Sequence, residues 1–158
     1  MRARAITAAV LSALSLAGCG DSDDDPSIPG DADPDAVEVI REWADELRAG
    51  DVEAAADRFE IPSIVQNGTP PLPLTDREEV VAFNESLPCG AELVEAERSG
   101  RFVVATFELT ERPGPGECGA GLGETARTAF VIHEGRIAEW RRVADEPPTE
   151  PPATGPVI

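Results

Sequence analysis

The chain contains no tyrosine and no lysine, and it has one histidine, one methionine and three cysteines among its 158 residues. With a single histidine, His133, and no CxxC spacing, there are too few ligands for a zinc site. All 13 basic residues are arginine, against 31 Asp and Glu, for a net charge of -18. A phosphate backbone is bound by basic patches, and this chain has none, so nucleic acid is excluded as a partner and anionic lipid headgroups are poor ones. The glycine run Gly119, Gly121, Gly123 is not followed by Lys-Ser or Lys-Thr and stands between strand-like segments. It reads as a loop, because a phosphate site needs a helix N-terminus. The Asp runs at 21, 23, 25 and 31, 33, 35 lack the glycine and distal glutamate of a calcium loop. No cofactor is expected.

The N-terminus is more informative. Arg2 and Arg4 precede an uncharged apolar run over residues 5–16, the pattern of a signal peptide. The run is short of the ~17 to 25 residues that a helix needs to cross hydrocarbon. Leu16-Ala17-Gly18-Cys19 resembles the bacterial lipobox. That resemblance implies cleavage after residue 18 and lipidation of Cys19, and hence a cell-membrane lipid anchor on the extracytoplasmic face. Two or more acyl chains anchor stably where one does not. Cys89 and Cys118 then remain as an even pair in an oxidising compartment, and a disulfide is the leading reading.

The organisation expected is a signal segment over 1–18, an acidic tether over 19–33, one domain over 34–144 and a Pro-rich tail over 145–158. In the domain, Asp33 caps a helix with Pro34 at its first position and Val37, Ile40, Ala44 and Leu47 at helical spacing, ending at Gly50. A second, short helix capped by Asp51 carries Val52, Ala55, Ala56 and Phe59 and ends near Pro62. Pro70, Pro71 and Pro73 predict an irregular stretch. Thr75 and Glu78 match a capping box for a third helix through Val80, Val81, Phe83 and Leu87. Four strands follow over 92–98, 101–111, 125–133 and 136–143, with turns at Ser99-Gly100 and Glu134-Gly135 and a long loop from Pro113 to Gly123. Both faces of 101–111 carry apolar residues, which predicts a curved sheet with helices inside it and a partly covered outer face.

Two segments carry a resemblance. One is residues 43–59, helix, Gly50-Asp51, helix, Phe59; the other is residues 130–140, an apolar strand, the turn Glu134-Gly135-Arg136, then Ile137, Glu139 and Trp140. This order resembles the NTF2-like superfamily, with its SnoaL-like and ketosteroid-isomerase-like proteins. The resemblance implies an α+β cone, three N-terminal helices packed in a curved antiparallel sheet of about four strands, with a pocket at the open end and frequent dimerisation through the sheet. A fold by itself implies no reaction.

Isomerase-like members need a carboxylate base facing a tyrosine, and tyrosine is absent. A hydrolase-like Asp-Arg-Asp relay is met only in part by Glu139, Arg141 and Arg142. His133, the chain's one imidazole, sits at a turn, where histidines are usually exposed and idle. No residue is assigned a catalytic role. The aromatic residues Trp43, Phe59, Phe83, Phe107, Phe130 and Trp140 are candidates for pocket lining, with core packing the default reading for them and for Phe102. Asn67-Gly68-Thr69 and Asn84-Glu85-Ser86 fit the N-glycosylation pattern, which a bacterial lipoprotein leaves unmodified. The leading function is non-catalytic binding of a small apolar ligand, or of an envelope protein partner or second copy. The alternatives are a SnoaL-like enzyme (isomerase, hydrolase or dehydratase) acting on a small organic substrate, and an accessory subunit of an envelope complex.

Overall fold

A computed structural model of the chain describes residues 30–144. The signal segment, Cys19 and the tail from residue 145 lie outside the described residues, as does the tether up to residue 29.

Helix α1, Pro34–Ala49, starts where the sequence places it. The Asp33 carboxylate accepts the Asp35 N–H at 3.1 Å, and Pro34 occupies the first turn, where its missing N–H costs nothing. It ends at Gly50, whose φ of 82° is left-handed; a Cβ there would also stand 2.9 Å from the Cβ of Pro113. Only glycine meets both constraints without strain. Ala36, Ile40, Trp43, Ala44 and Leu47 form the buried stripe of this helix. Helix α2, Val52–Asp57, is capped by Asp51, which accepts the Ala54 N–H at 3.0 Å. Helix α3, Arg77–Ser86, begins one residue later than expected. Its cap is Asp76, accepting the Glu79 N–H at 3.0 Å, while the Glu79 carboxylate reaches back to the Thr75 N–H at 2.6 Å. The capping box is therefore Asp76 with Glu79, not Thr75 with Glu78, in line with the stronger capping tendency of Asp over Thr.

The sheet has seven strands, more than the four expected. They are β1 Gly30–Asp31, β2 Phe59–Gln66, β3 Leu72–Leu74, β4 Gly90–Ser99, β5 Phe102–Thr110, β6 Thr125–His133 and β7 Arg136–Val143, in the order β1-β4-β5-β6-β7-β2-β3. The four-strand meander β4 to β7 is antiparallel, as expected. β2, however, joins β7 in parallel, so the sheet is mixed rather than antiparallel. Phe59 opens β2 instead of closing α2, and Pro62 lies inside this strand. Pro62 is accommodated because it falls in the irregular stretch between Phe59 and Ile64, where the ladder to β7 is interrupted. The proline-rich stretch likewise yields a short strand, β3, and Pro73 sits on that edge strand, where no inner ladder needs its N–H.

Three helices pack on the inner face of the curved sheet, and the space between them is filled by aromatic rings. Trp43 meets Phe130, Phe107 and Trp140 edge to face at 5.5, 6.0 and 6.4 Å. Phe83 bridges Trp140 and Phe59 at 5.1 and 6.0 Å. Such pairs contribute about 0.5–1.5 kcal/mol each beyond the area they bury. A polar link within this core ties α1 to α3. Trp43 Nε1 donates to Asn84 Oδ1 at 2.9 Å, and Asn84 Nδ2 donates to the Val80 carbonyl at 2.9 Å. Asn84 is fully buried, which explains an asparagine in mid-helix and removes the second glycosylation pattern from the surface.

Candidate functional site: the mouth of the cone

The two ends of the cone differ. At one end the start of α1 faces the β6–β7 turn, with Asp33, Asp35, Glu134 and Gly135 around a shared cleft. At the other, the end of α1 approaches β4 and the long loop, since Gly90 packs on Arg48 and Gly50 on Pro113. Helix α1, at 16 residues, spans the roughly 24 Å between them.

The second end is tied together twice. Cys89 and Cys118 form the expected disulfide, with Cα atoms 4.5 Å apart, joining the start of β4 to the loop between β5 and β6. Gly121, in a 3-10 turn of that loop, lies against both sulfurs and Leu109. The second tie is Arg112, a buried arginine that nothing in its local sequence announces. Its guanidinium donates to the carbonyls of Leu87, Glu85 and Asn84 at 2.8, 3.0 and 3.3 Å, so it closes the C-terminus of α3. A cation at that position also complements the negative end of the helix dipole.

Within this end lies a cavity of about 110 Å³. Trp43 and Leu47 of α1 and Leu87 after α3 form one side; Ala91, Phe107, Leu109, Ala126 and Trp140 of the sheet form the other. Asn67, Thr128 and Arg142 supply the polar groups, and Cys89 joins the wall. Of the candidate lining residues, the structure places Trp43, Phe107 and Trp140 at the cavity. It places Phe59, Phe83 and Phe130 in the packing behind, where Phe59 and Phe130 are buried among other rings. The cavity is well below the roughly 300–1,000 Å³ of drug-sized sites, and above the ~10–15 Å³ that one water requires.

Among the described residues, no carboxylate and no imidazole lines this cavity. Glu139 lies on the opposite face of β7, because alternate residues of a strand point to opposite sides. Burial pushes its carboxyl up, but hydrogen bonds and charge from Arg101 and Arg141 outweigh this and hold it below the ordinary glutamate value. The carboxylate receives Arg101 Nη1 at 2.6 Å and Arg141 Nε at 2.7 Å. This is the reverse of a general base, whose pKa is raised. Arg101 also stacks over the Phe102 ring at 4.4 Å. His133 is exposed at the opposite end of the cone, with Nδ1 3.1 Å from the Glu60 carboxylate. The Glu139, Arg141, Arg142 set is therefore split: Arg142 goes to the mouth, while Glu139 and Arg141 go to the outer face. Among the described residues, no group of three metal-ligating side chains occurs and no helix is long and apolar enough to cross a membrane.

No protein-family model matches the chain, and no curated protein matches it in sequence. Solved structures do match. An NTF2-like protein of unknown function from Cytophaga hutchinsonii aligns over 70% of this chain and 89% of its own, at 13% identity and a TM-score of 0.53. Another, from Burkholderia xenovorans, aligns over 75% and 88% at 15% identity and 0.52. A protein described as a candidate ketosteroid isomerase, from Kribbella flavida, aligns over 78% and 90% at 16% identity and 0.51. At such identities the likeness speaks for the fold alone, and the architecture of this chain is the α+β NTF2-like fold.

Proposed function

We propose that the chain is a lipid-anchored NTF2-like domain that binds a small apolar molecule, without catalysis, in the cavity at the mouth of its cone. The observation that carries this reading is the lining itself, aromatic and aliphatic with a few polar groups and, among the described residues, no carboxylate or imidazole. Concave apolar sites with sparse polar groups are the usual form of small-molecule pockets. The name of the Kribbella neighbour suggests an isomerase alternative, which needs a carboxylate at the cavity. The half-buried Glu139 instead turns outward, where two arginines favour its ionised form.

In this reading a lipidated Cys19 holds the domain on the extracytoplasmic face, and the described chain enters the fold at β1, where Gly30 and Asp31 pair with Arg98 and Glu97 of β4.

Trp43 and Trp140 are the only tryptophans, and both line the cavity. Intrinsic fluorescence therefore reads its occupancy. Titration of the purified full chain with a neutral probe, isovaleramide, is expected to give a saturable change that Ala126→Phe abolishes while the thermal transition persists. A change that does not saturate, or that survives Ala126→Phe, would count against a cavity site. For the anchor, labelling with a fatty acid is expected to be lost in Cys19→Ser.

A further inference from the structure

We infer that Asn67 is a site of self-modification: its side-chain amide closes on the Gly68 nitrogen and reopens as aspartate or isoaspartate, which puts a negative charge at the edge of the cavity. The modification stands on the loop alone; its effect on binding rests on the role proposed above.

The chain has two asparagines, Asn67 and Asn84, and the structure places them in opposite settings. Asn67 follows Gln66, the last residue of β2, which is fixed in the ladder opposite Arg141 of β7. It is exposed, and so are Gly68 and Thr69 after it. Gly68 takes a left-handed φ of 71°, and a Cβ there would meet nothing within 4 Å, so no other part of the fold crowds this peptide. Among the described residues, neither the Gly68 N–H nor the Asn67 side chain is in a hydrogen bond. Asn84 is the converse. It is fully buried in α3, where its Oδ1 accepts from Trp43 Nε1 and its Nδ2 donates to the Val80 carbonyl, both at 2.9 Å. The residue after it, Glu85, has its N–H in the helical ladder.

These settings decide which amide reacts. The Gly68 nitrogen, on losing its proton to base, attacks Cγ of Asn67. The new C–N bond closes a succinimide ring, the Cγ–Nδ2 bond breaks, and the amide nitrogen takes up a proton and leaves as ammonia. Water then opens the ring. Cleavage between the ring nitrogen and Cγ leaves aspartate. Cleavage between that nitrogen and the main-chain carbonyl carbon of residue 67 leaves isoaspartate, with the chain running through the former side chain. One water is consumed and one ammonia released, with no oxidant or reductant. Ring closure needs backbone rotation at residues 67 and 68, which a glycine without Cβ permits and a helix forbids. The Asn67-Gly68-Thr69 pattern read above for glycosylation thus carries chemistry that needs no enzyme.

The consequence lies in the cavity wall. Asn67 is one of its polar lining groups, in the company of Trp43, Leu87 and Phe107. Conversion replaces a neutral amide by a carboxylate, and isoaspartate also lengthens the backbone by one carbon. A carboxylate holds water strongly, which opposes burial of an apolar ligand beside it.

The test is to hold the full chain at pH 8 and 37 °C, then digest it and map the peptides by mass beside a fresh sample. A gain of about 1 Da is expected at Asn67, divided between two products that chromatography separates, with none at Asn84. Gly68→Ala is expected to slow the conversion about tenfold or more, because a Cβ restricts rotation at residue 68. The converted chain and Asn67→Asp are expected to bind isovaleramide about threefold or more weakly than the fresh chain in the tryptophan titration. An unchanged mass at Asn67, conversion at Asn84 as fast as at Asn67, or Gly68→Ala converting at the parent rate would overturn the site. Conversion with an unchanged isovaleramide affinity would overturn its link to the cavity. If the fresh chain binds no isovaleramide, the binding role fails, while the mass readout still decides the modification.

Discussion

Along β7, neighbouring residues enter two different environments. Trp140 turns inward, where Trp43 and Phe83 meet it edge to face. Glu139 and Arg141, on either side, turn outward into a chain of opposite charges that also takes in Arg101. The same contrast runs across the sheet. Phe107, Ala126 and Phe130 face in, while Arg127 pairs with Glu97 outside. The inside is held by packing and the outside by ion pairs that remain in reach of water. What little polarity enters from the sheet does so at the mouth, through Thr128 and Arg142.

The contrast can be tested by removing one element at a time. The largest effect is expected for Trp43→Ala, which removes three ring contacts and the Asn84 hydrogen bond. A loss of about 3–5 kcal/mol in denaturant unfolding is expected, as for other buried aromatic truncations. Replacing Cys89 and Cys118 with serine opens the loop they close, with an expected loss of about 3–4 kcal/mol by the chain-entropy estimate. Arg112→Met leaves the carbonyls at the end of α3 without their donor, and about 2 kcal/mol is expected to be lost.

The outer face is expected to yield less. Because the Glu139 carboxyl is held below its ordinary value in the folded chain, it contributes stability above the unfolded glutamate pKa of roughly 4.3, and that contribution fades as pH falls through the lower folded value. Glu139→Gln should therefore cost about 1 kcal/mol at pH 7 and less at pH 3, measured as the difference in unfolding free energy from the parent chain. Phe102→Ala, on the outer face under Arg101, should cost under ~1 kcal/mol. If Phe102→Ala matched Trp43→Ala, the outer face would have to be a second core.

Much of the fold is legible along the chain where the signal is local. The caps at Asp33 and Asp51, the Gly50 stop and the glycine turns each depend on a few adjacent residues, and β5 and β6 are rich in β-branched and aromatic residues. β2 is hidden because Val52, Ala55, Ala56 and Phe59 fit a helical stripe, and only pairing with β7, some 70 positions on, makes Phe59 a strand residue. β3 is hidden by Pro73 and by Pro70 and Pro71 before it, which argue against a strand except at an edge. The site was less legible than the fold. Trp43, Phe107 and Trp140 reach the cavity, whereas Phe59, Phe83 and Phe130 fill the space behind it, and composition does not separate the two groups. Arg112 and Arg142 look alike in sequence, each in a charged, proline-flanked or strand-end context. One closes a helix and the other reaches the cavity, a distinction that arises only from which carbonyls and which rings the fold brings near.

The central claim is that the mouth of the cone is a binding cavity for a small apolar molecule, and it is tested most directly by nuclear magnetic resonance on the full chain titrated with isovaleramide. Saturable shifts are predicted at the amides of Ala91, Ala126 and Thr128 and at the Trp140 indole N–H, with Val104 and Ala129 on the outer face unmoved. Shifts confined to Val104 and Ala129, or none that saturate, would contradict it.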